Sequence, residues 1–382
     1  MAYLDGKRAN KGEWAELYVF LKLLGEGKLY AADQHLKRKP GYYVEVLKVL
    51  REEIADELSE YRRNGTMVDI YVAGECVASV PAKAFLDNAR DFFTCLENAG
   101  GKGSIAVTDE IAAFSHVIRV SKPKSPSLRS LMDFGGKSDI VLETRDGRSG
   151  IVSTMGFSIK SQFGSPPTLY NAGTSTQFEY ELHGMDDAGM VEFNSVDQHV
   201  TGKKIWTATS QLYKQHGWTA EYTGTPNSNT SNNFFLIRDS MPELMAWIYR
   251  RALLEDYPNS LSFPALQVAL EYENPLHYPN ASVYEKAIKD FLFASFSGMT
   301  GGVAWDGTEQ VNGGYIVVMP SGEVLCYHAN DREAFRDYLY RQTHIEYVGR
   351  KKYRWGTVRK TSDGKYKLLL NGSVRFYPKF QE

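Results

Sequence analysis

Two β-rich runs separated by a short turn, within residues 136–171, constrain this chain more than any other stretch. The first run centres on residues 140–142, and the second, with β-branched and aromatic side chains, covers residues 151–161. Between them, residues 146–150 contain two glycines, an aspartate and a serine, which is a turn signal. Strands joined by so short a turn pair antiparallel. The sequence therefore predicts a β-hairpin.

Antiparallel pairing brings an acid and a base together at one end of this hairpin. A chain that folds back at Arg148 places Asp139 roughly opposite Ser158 and Lys160. An aspartate can hold Mg²⁺, and a lysine beside it can orient or activate an attacking water. The pattern indicates a metal-dependent phosphodiesterase site. Taken singly, Asp139 has a simpler interpretation as a strand-edge aspartate, and Lys160 as a lysine with a packed aliphatic stem.

Composition excludes several classes of protein. The formal net charge is −2 at pH 7, which does not by itself indicate a polyanion-binding protein. Cys76, Cys95 and Cys326 show neither metal-ligand spacing nor a disulfide framework, which is typical of a reducing cytosol. The N-terminus lacks the apolar core of a signal peptide, and no apolar run approaches transmembrane length. We therefore expect a cytoplasmic protein with no membrane partner.

Hydrophobic periodicity gives an outline of the elements. Helices are predicted at residues 11–25, 43–61, 81–96, 241–256, 282–293 and 331–341. Strands are predicted at residues 67–72, 314–319 and 323–328, with a second hairpin at 353–376; residues 111–120 fit a strand or a short helix. Residues 184–195 and 219–233 are interpreted as surface loops. The glycine-rich residues 99–103 lack the spacing of a phosphate-binding loop.

These elements suggest three regions. Residues 1–125 are expected to form a mostly helical N-terminal region, residues 126–300 a core that contains the hairpin, and residues 301–382 a β-rich basic region. From Arg341 onward, eleven basic residues face only three acidic ones and are interleaved with aromatic residues. Such a segment suits a nucleic-acid surface. The alternative is a solvated basic face balanced by acids from elsewhere in the chain.

Several separated motifs resemble one family, the HpaII-like type II restriction endonucleases. The central motifs are Gly-Lys-Ser-Asp-Ile at residues 136–140 and Gly-Phe-Ser-Ile-Lys-Ser at residues 156–161. The others, in the same order along the chain, are residues 11–18, 27–33, 167–172, 313–316, 326–328 and 370–376. Such a series is more specific than an Asp and a Lys alone.

The resemblance implies a PD-(D/E)xK nuclease fold of the α/β (α+β) class, a mixed sheet flanked by helices. It implies Mg²⁺-dependent cleavage of double-stranded DNA at a short G·C-rich palindrome related to CCGG, with 5′ phosphate and 3′ hydroxyl products. A palindromic target suggests a homodimer. A cognate DNA methyltransferase would act on the same site without necessarily binding this protein.

The resemblance also assigns the catalytic residues. Asp139 is the first acid and the first metal ligand, and Lys160 is the motif lysine. Ser158 stands where the general nuclease motif usually has Asp or Glu as the second acid, so a second carboxylate should come from elsewhere. Glu16, on the first predicted helix, is our first choice as that catalytic acid and metal ligand, and Glu143 and Glu179 are alternatives. A helix-dipole partner is the simpler interpretation of Glu16.

The DNA contacts are predicted from the segment after the catalytic strand and from the basic tail. They are Ser161, Gly164, Ser165, Thr168, Asn171, Arg350, Lys352 and Arg354. His328 fits either a general base or, more simply, a core histidine. Two other functions use the same residues: a structure-specific or repair nuclease, and a DNA-binding protein that does not cleave.

Overall fold

The computed structural model describes most of the chain and groups it into two compact units. The first unit comprises residues 1–167 and 309–335, and the second comprises residues 168–308 and 336–382. The described residues are 3–33, 35–54, 57–98, 103–124, 138–162, 168–196, 203–262, 264–308, 313–328, 331–350 and 355–377. Within these ranges, no helix is both long and apolar enough to cross a membrane.

The described ranges contain helices and strands in a mixed order, in agreement with the predicted α/β class. The helices are α1 (Lys11–Glu26), α2 (Ala82–Asn98), α3 (Asp109–Ile118), α4 (Asp187–Ser195), α5 (Lys203–Gln215), α6 (Ser228–Ile237), α7 (Met241–Leu254), α8 (Pro264–Glu273), α9 (Ser282–Ser297) and α10 (Arg332–Gln342).

The strands are β1 (Arg8–Ala9), β2 (Lys28–Ala32), β3 (Arg38–Ile54), β4 (Glu57–Asn64), β5 (Met67–Val72), β6 (Glu75–Pro81), β7 (Ile105–Ala106), β8 (Ile140–Asp146), β9 (Val152–Ser161), β10 (Thr168–Tyr170), β11 (Gln177–His183), β12 (Thr219–Gly224), β13 (Gly314–Val318), β14 (Val324–His328), β15 (Thr343–Ile345), β16 (Val358–Lys360), β17 (Tyr366–Asn371) and β18 (Val374–Phe376).

A nine-stranded mixed sheet organises the first unit, in the order β2-β14-β13-β9-β8-β3-β4-β5-β6. Strand β2 also pairs with β3, so six of the strands form a closed circuit. The long strand β3 pairs with β8 along one edge and with β2 and β4 along the other. β8 and β9 are antiparallel, and β13 runs parallel to β9. The predicted hairpin is therefore confirmed and lies inside the sheet.

Helix α1 covers one face of this sheet. Asn10 and Glu13 form a reciprocal capping box at its start, and the helix ends at Gly27, whose φ of 68° favours glycine. Its buried side includes Trp14 and Phe20, which share a hydrophobic core with Phe157 and Ile159 of β9. Of these buried side chains, Trp14 belongs to the apolar stripe from which the helix was predicted.

The second unit contains two smaller sheets and most of the helices. One sheet has the order β12-β11-β17-β16, and the other has the order β10-β18-β15. Helix α7, buried along much of its length, packs against β12 and β17. Phe178 of β11 lies 5.8 Å from the Phe234 ring and 5.1 Å from the Tyr249 ring. These aromatic side chains form part of the interior of the unit.

Three predictions about elements were wrong. Residues 43–61 are not a helix but most of β3 and the start of β4, so residues 1–125 are not mostly helical. Residues 184–195 are not a loop, because Asp186 accepts from Gly189 N and begins α4. Residues 219–233 contain β12 and the start of α6, which Asn227 caps. The other predicted helices and strands, and the second hairpin, are confirmed, with residues 111–120 helical.

Candidate active site

The turn of the hairpin is closed by one aspartate. Asp146 Oδ1 accepts hydrogen bonds from Arg148 N and Ser149 N, each at 2.8 Å. These bonds, with the backbone bond from Gly150 N to Asp146 O, hold the turn. The register that follows pairs Ile140 with Phe157. Asp139 precedes the first regular pair: its N donates to Phe157 O at 2.9 Å, and its side chain reaches Ser158, close to the predicted position.

The Asp139 carboxylate is anchored by the strand opposite. Its Oδ2 atom accepts from Ser158 Oγ at 3.0 Å and from Ile159 N at 2.8 Å. Both bonds end on Oδ2, so neither occupies Oδ1. Ser158 is 7% exposed, which shelters the bond from water. Ser158 therefore does not replace the missing second acid but acts as a donor that orients the first one.

Lys160 lies at the same end of the hairpin. It follows Ser158 by two residues on β9, so the two side chains share one face of the strand. Lys160 is half-buried and pairs across the sheet with Val317 of β13. The fold thus brings Asp139, Ser158 and Lys160 together on two paired strands, as the sequence predicted.

Glu16 lies on α1, which packs against β9 and β3. Two contacts give the direction of α1 relative to β3. Val46 N donates to Gly27 O just after the end of the helix, and the Arg51 guanidinium lies 4.9 Å from the ring of Phe20, earlier in the helix. The helix therefore runs antiparallel to β3. Glu16, one turn before Phe20, is at the end of the sheet where Asp139 lies. The core face that α1 covers carries Phe157 and Ile159 and is opposite to the Ser158 face.

The two alternative acids are engaged elsewhere. Glu143 is four residues along β8 from Asp139, a distance of about 13 Å at 3.3 Å per residue. Its carboxylate lies 3.1 Å from Lys48 Nζ. Glu179 is on β11 in the second unit, where it lies 3.1 Å from Arg359. Both acids therefore already have basic partners.

The oxygen donors at this end of the hairpin fit a hard cation. Mg²⁺ prefers oxygen ligands, keeps several waters, and is often held by one or two carboxylates and a substrate phosphate. Among the described residues, no group of three or more His, Cys, Asp or Glu is arranged to hold a metal ion. The site therefore suits a hydrated ion shared with a substrate better than an ion enclosed by protein.

A buried charged cluster next to this site was not predicted from the sequence. Arg51 is 1% exposed and donates to Glu53 Oε1 at 2.6 Å and to Lys122 O at 2.8 Å. Burial raises the pKa of Glu53, but the Arg51 charge and hydrogen bonds from Ser121 outweigh it and leave the pKa below its usual value. Val44 and Val46, two residues apart, were the sequence signal for this strand, and an irregularity between Val46 and Lys48 brings Val49 into the same core.

Arg350 is not placed to read a base. It is 1% exposed, and its guanidinium donates to Thr209 Oγ1 and to Phe193 O, each at 2.9 Å. It also lies 4.7 Å from the Phe193 ring. The prediction of Arg350 as a DNA contact is therefore wrong in this structure. Lys352 and Arg354 lie outside the described residues.

Much of the basic tail is balanced by acids. Acids from β11, α4 and the tail itself each lie within 3.1 Å of a tail base: the pairs are Arg359–Glu179, Lys360–Asp187, Lys365–Glu181 and Arg375–Glu346. Among the described tail residues, these pairs favour the solvated, balanced face over a continuous nucleic-acid surface.

The predicted contacts after β9 are only partly described. Gly164 and Ser165 lie outside the described residues. Ser161 is half-buried at the end of β9, and Asn171 is exposed beyond β10. Thr168 Oγ1 accepts from Arg375 at 3.2 Å. Ser161, Thr168 and Asn171 remain predictions as DNA contacts.

His328 is half-buried on β14. Burial lowers the pKa of its imidazole, with smaller opposing effects from nearby acids. The ring centre lies 6.4 Å from that of Phe157. Burial beside the Phe157 ring favours the interpretation as a core histidine.

Comparison with known proteins agrees with the motifs. The family model described as HpaII restriction endonuclease matches residues 10–376. The chain is 30% identical over 376 residues to the type II restriction enzyme HpaII of Haemophilus parainfluenzae, covering 96% of this chain and 98% of that protein. No solved structure matches significantly. The chain therefore belongs to the HpaII restriction endonuclease family.

Proposed function

We propose that this protein is a Mg²⁺-dependent type II restriction endonuclease that hydrolyses double-stranded DNA at a short G·C-rich palindrome of the CCGG type. One observation carries the proposal: the Asp139 carboxylate is fixed by Ser158 and Ile159 at the hairpin end that also bears Lys160. Membership of the family supports DNA as the substrate. The products are a 5′ phosphate and a 3′ hydroxyl.

The arrangement of the central strands supports a PD-(D/E)xK core. Helix α1 comes first, then β3, β8 and β9 follow as adjacent antiparallel strands. β13 then lies beside β9 in the parallel direction. In this proposal the hairpin is the catalytic element, and α1 supplies a further acid.

Each residue has a role in the proposed hydrolysis. Asp139 Oδ1 and the Glu16 carboxylate would hold Mg²⁺, which when bound supplies Lewis-acid and charge-neutralising chemistry at the phosphate. Ser158 Oγ and Ile159 N hold Asp139 Oδ2, which fixes the direction of the carboxylate. The Lys160 ammonium stabilises negative charge on the attacking water and the phosphate. Water adds to phosphorus and gives up one proton to solvent, the bond from phosphorus to the 3′ oxygen breaks, and that oxygen takes up a proton from solvent.

We also propose that DNA is recognised by the segment after the catalytic strand and by the basic tail. Ser161, Thr168 and Asn171 remain candidates because they follow the catalytic strand, together with Gly164 and Ser165. Lys352 and Arg354 remain candidates in the basic tail. A homodimer would match its two-fold axis to that of a palindrome. The cognate methyltransferase would protect the same sequence.

The test is cleavage of a plasmid of known sequence with MgCl₂, followed by mapping of the ends. We expect cuts at one palindrome by the wild type, and no cuts by the Asp139→Ala and Lys160→Ala variants, both of which still bind the same duplex with CaCl₂. Normal cutting by both variants would show that the site is assigned wrongly. Cuts at junctions rather than a palindrome would favour a repair nuclease, and binding without any cutting would favour a non-cleaving protein.

A further inference from the structure

Arg375 is a tail arginine that the fold fixes beside the segment leaving the catalytic strand. It lies on β18, directly opposite Thr168 of β10. Thr168 is seven residues after Ser161, the last residue of β9, so β10 is the first strand that follows the catalytic hairpin. The Arg375 guanidinium donates from Nη2 to Thr168 Oγ1 at 3.2 Å. The basic tail is thus bonded to the segment from which DNA contacts are proposed.

An acid holds the same nitrogen of the guanidinium. Glu346 Oε1 lies 3.0 Å from Arg375 Nη2. Glu346 is itself fixed, since its Oε2 atom accepts from Ser373 Oγ at 2.8 Å and its backbone N donates to Ser373 O at 3.1 Å. A planar guanidinium held by both a carboxylate and a hydroxyl has few orientations left, so its other donors point in a set direction.

One nitrogen of Arg375 is left for a ligand. Both contacts use Nη2, Nε is buried, and Nη1 has no hydrogen-bond partner among the described residues. The Arg375 side chain is 35% exposed, whereas Arg350 is enclosed. Guanine presents two acceptors in the major groove, N7 and O6, and arginine is a common donor to them. A base reader of this kind needs one oriented side chain rather than a continuous basic surface.

We propose that Arg375 is a specificity-determining residue that donates to the N7 and O6 edge of a guanine in the recognised sequence, with Glu346 as its positioning residue. This inference rests on the proposed function and deepens it by naming a base reader. Because the Glu346 carboxylate offsets the charge of Arg375, the pair suits the neutral edge of a base better than a phosphate. The other paired tail bases, within residues 359–365, lie on the β16–β17 hairpin, in the sheet that does not contain β10.

Binding to base analogues tests the proposal. The duplex carries the sequence mapped by plasmid cleavage, and 7-deazaguanine, which has a C–H group in place of N7, replaces each guanine in turn. The affinities of the wild type, Arg375→Ala and Arg375→Lys are measured in CaCl₂ by fluorescence anisotropy at several NaCl concentrations, with a duplex of unrelated sequence as the non-specific DNA. Arg359→Ala is the matched control, because Arg359 is also a tail arginine that pairs with an acid, Glu179, at 3.1 Å.

We expect 7-deazaguanine at one position to weaken wild-type binding by about tenfold, and Arg375→Ala to bind the unmodified duplex more weakly by a similar factor. At that position, 7-deazaguanine should weaken Arg375→Ala no further. Arg375→Lys keeps the charge beside Glu346 but lacks the planar fork, so it should lose the same preference and bind non-specific DNA as the wild type does. Arg359→Ala should match the wild type at every position. If Arg375→Ala does not fold, Arg375→Lys carries the test.

If 7-deazaguanine weakens the folded Arg375 variants at every position at which it weakens the wild type, the role of Arg375 is overturned and the proposed function stays intact. An equal loss on specific and non-specific DNA, with a salt dependence lower by about one counterion, identifies a phosphate contact and also overturns the base reader. A wild type that prefers no sequence over another overturns both the base reader and the proposed function.

Discussion

Restoring an acid at Ser158 gives a direct test of the electrostatics of the hairpin. In the wild type, Ser158 Oγ donates to Asp139 Oδ2 at 3.0 Å, and Ser158 is 7% exposed. The Ser158→Asp substitution removes this donor and places a second carboxylate beside the first. It also restores the residue type that the nuclease motif usually has at this position. The variant should therefore be less stable without metal and more responsive to metal.

The expected magnitude follows from two effects. Loss of a hydrogen bond to a charged acceptor costs about 1.5–3 kcal/mol of unfolding free energy. Two unit charges about 4 Å apart at an effective dielectric constant near 20 repel by about 4 kcal/mol. Ser158→Ala loses only the hydrogen bond, whereas metal-free Ser158→Asp loses about 5 kcal/mol, with the repulsion reduced because Asp139 is half-buried rather than fully buried.

The assay is urea unfolding followed by tryptophan fluorescence, with EDTA or with excess MgCl₂. In EDTA, Ser158→Asp should unfold at a lower urea concentration than Ser158→Ala. MgCl₂ should return most of the lost stability to Ser158→Asp and little to Ser158→Ala, because only the former gains a ligand. Equal stability of the two variants in EDTA, or an equal response to MgCl₂, would refute the reasoning.

Three further predictions concern buried charges. Arg350→Ala should lower the stability by about 3 kcal/mol, measured as a lower melting temperature, because the buried guanidinium donates two hydrogen bonds within the second unit. The folded fraction of the variant should keep the wild-type cleavage pattern. Glu53→Ala leaves the Arg51 guanidinium buried without its carboxylate partner, and we expect urea unfolding to show a loss of about 3–5 kcal/mol. The folded pKa of Glu53 is below its unfolded pKa. The stabilisation that Glu53 provides is therefore present above the unfolded pKa and is lost as the pH falls through the folded pKa. The folded pKa of His328 is also lowered, so below pH 6.5, the usual pKa of histidine, the unfolded state binds more protons than the folded state. We therefore expect the melting temperature of the wild type to fall more steeply than that of His328→Gln as the pH is lowered below 6.5.

Elements with complete local signals were predictable. The start of α1 combines Asn10 and Glu13 at capping-box spacing, and its end combines Gly25 and Gly27. The hairpin combines β-branched runs with an aspartate that accepts from two backbone amides of its own turn. In both cases the residues that determine the structure are within one short window. The register that places Asp139 opposite Ser158 followed from the same window.

The elements that were predicted wrongly depend on distant partners. Residues 219–233 are polar, yet β12 is held by the edge of β11, and Thr230, Asn233 and Phe234 of α6 are buried. The basic tail is another example. Lys365 and its partner Glu181 are 184 residues apart in the chain, so a local count of charge sees the base without its acid. Charge balance of this kind is decided only by the fold.

The site itself depends on the one predicted helix that is a strand instead. A helix over residues 43–61 places Arg51, Glu52 and Glu53 on one charged outer face. In the strand, Arg51 and Glu53 form a buried ion pair, and Glu52 is buried as well. The strand is held in the sheet by β8 along one edge and by β2 and β4 along the other, so its type is decided by distant partners. A distant acid that could complete such a site cannot be found from spacing along the chain, since strand pairing brings together residues that are far apart in sequence.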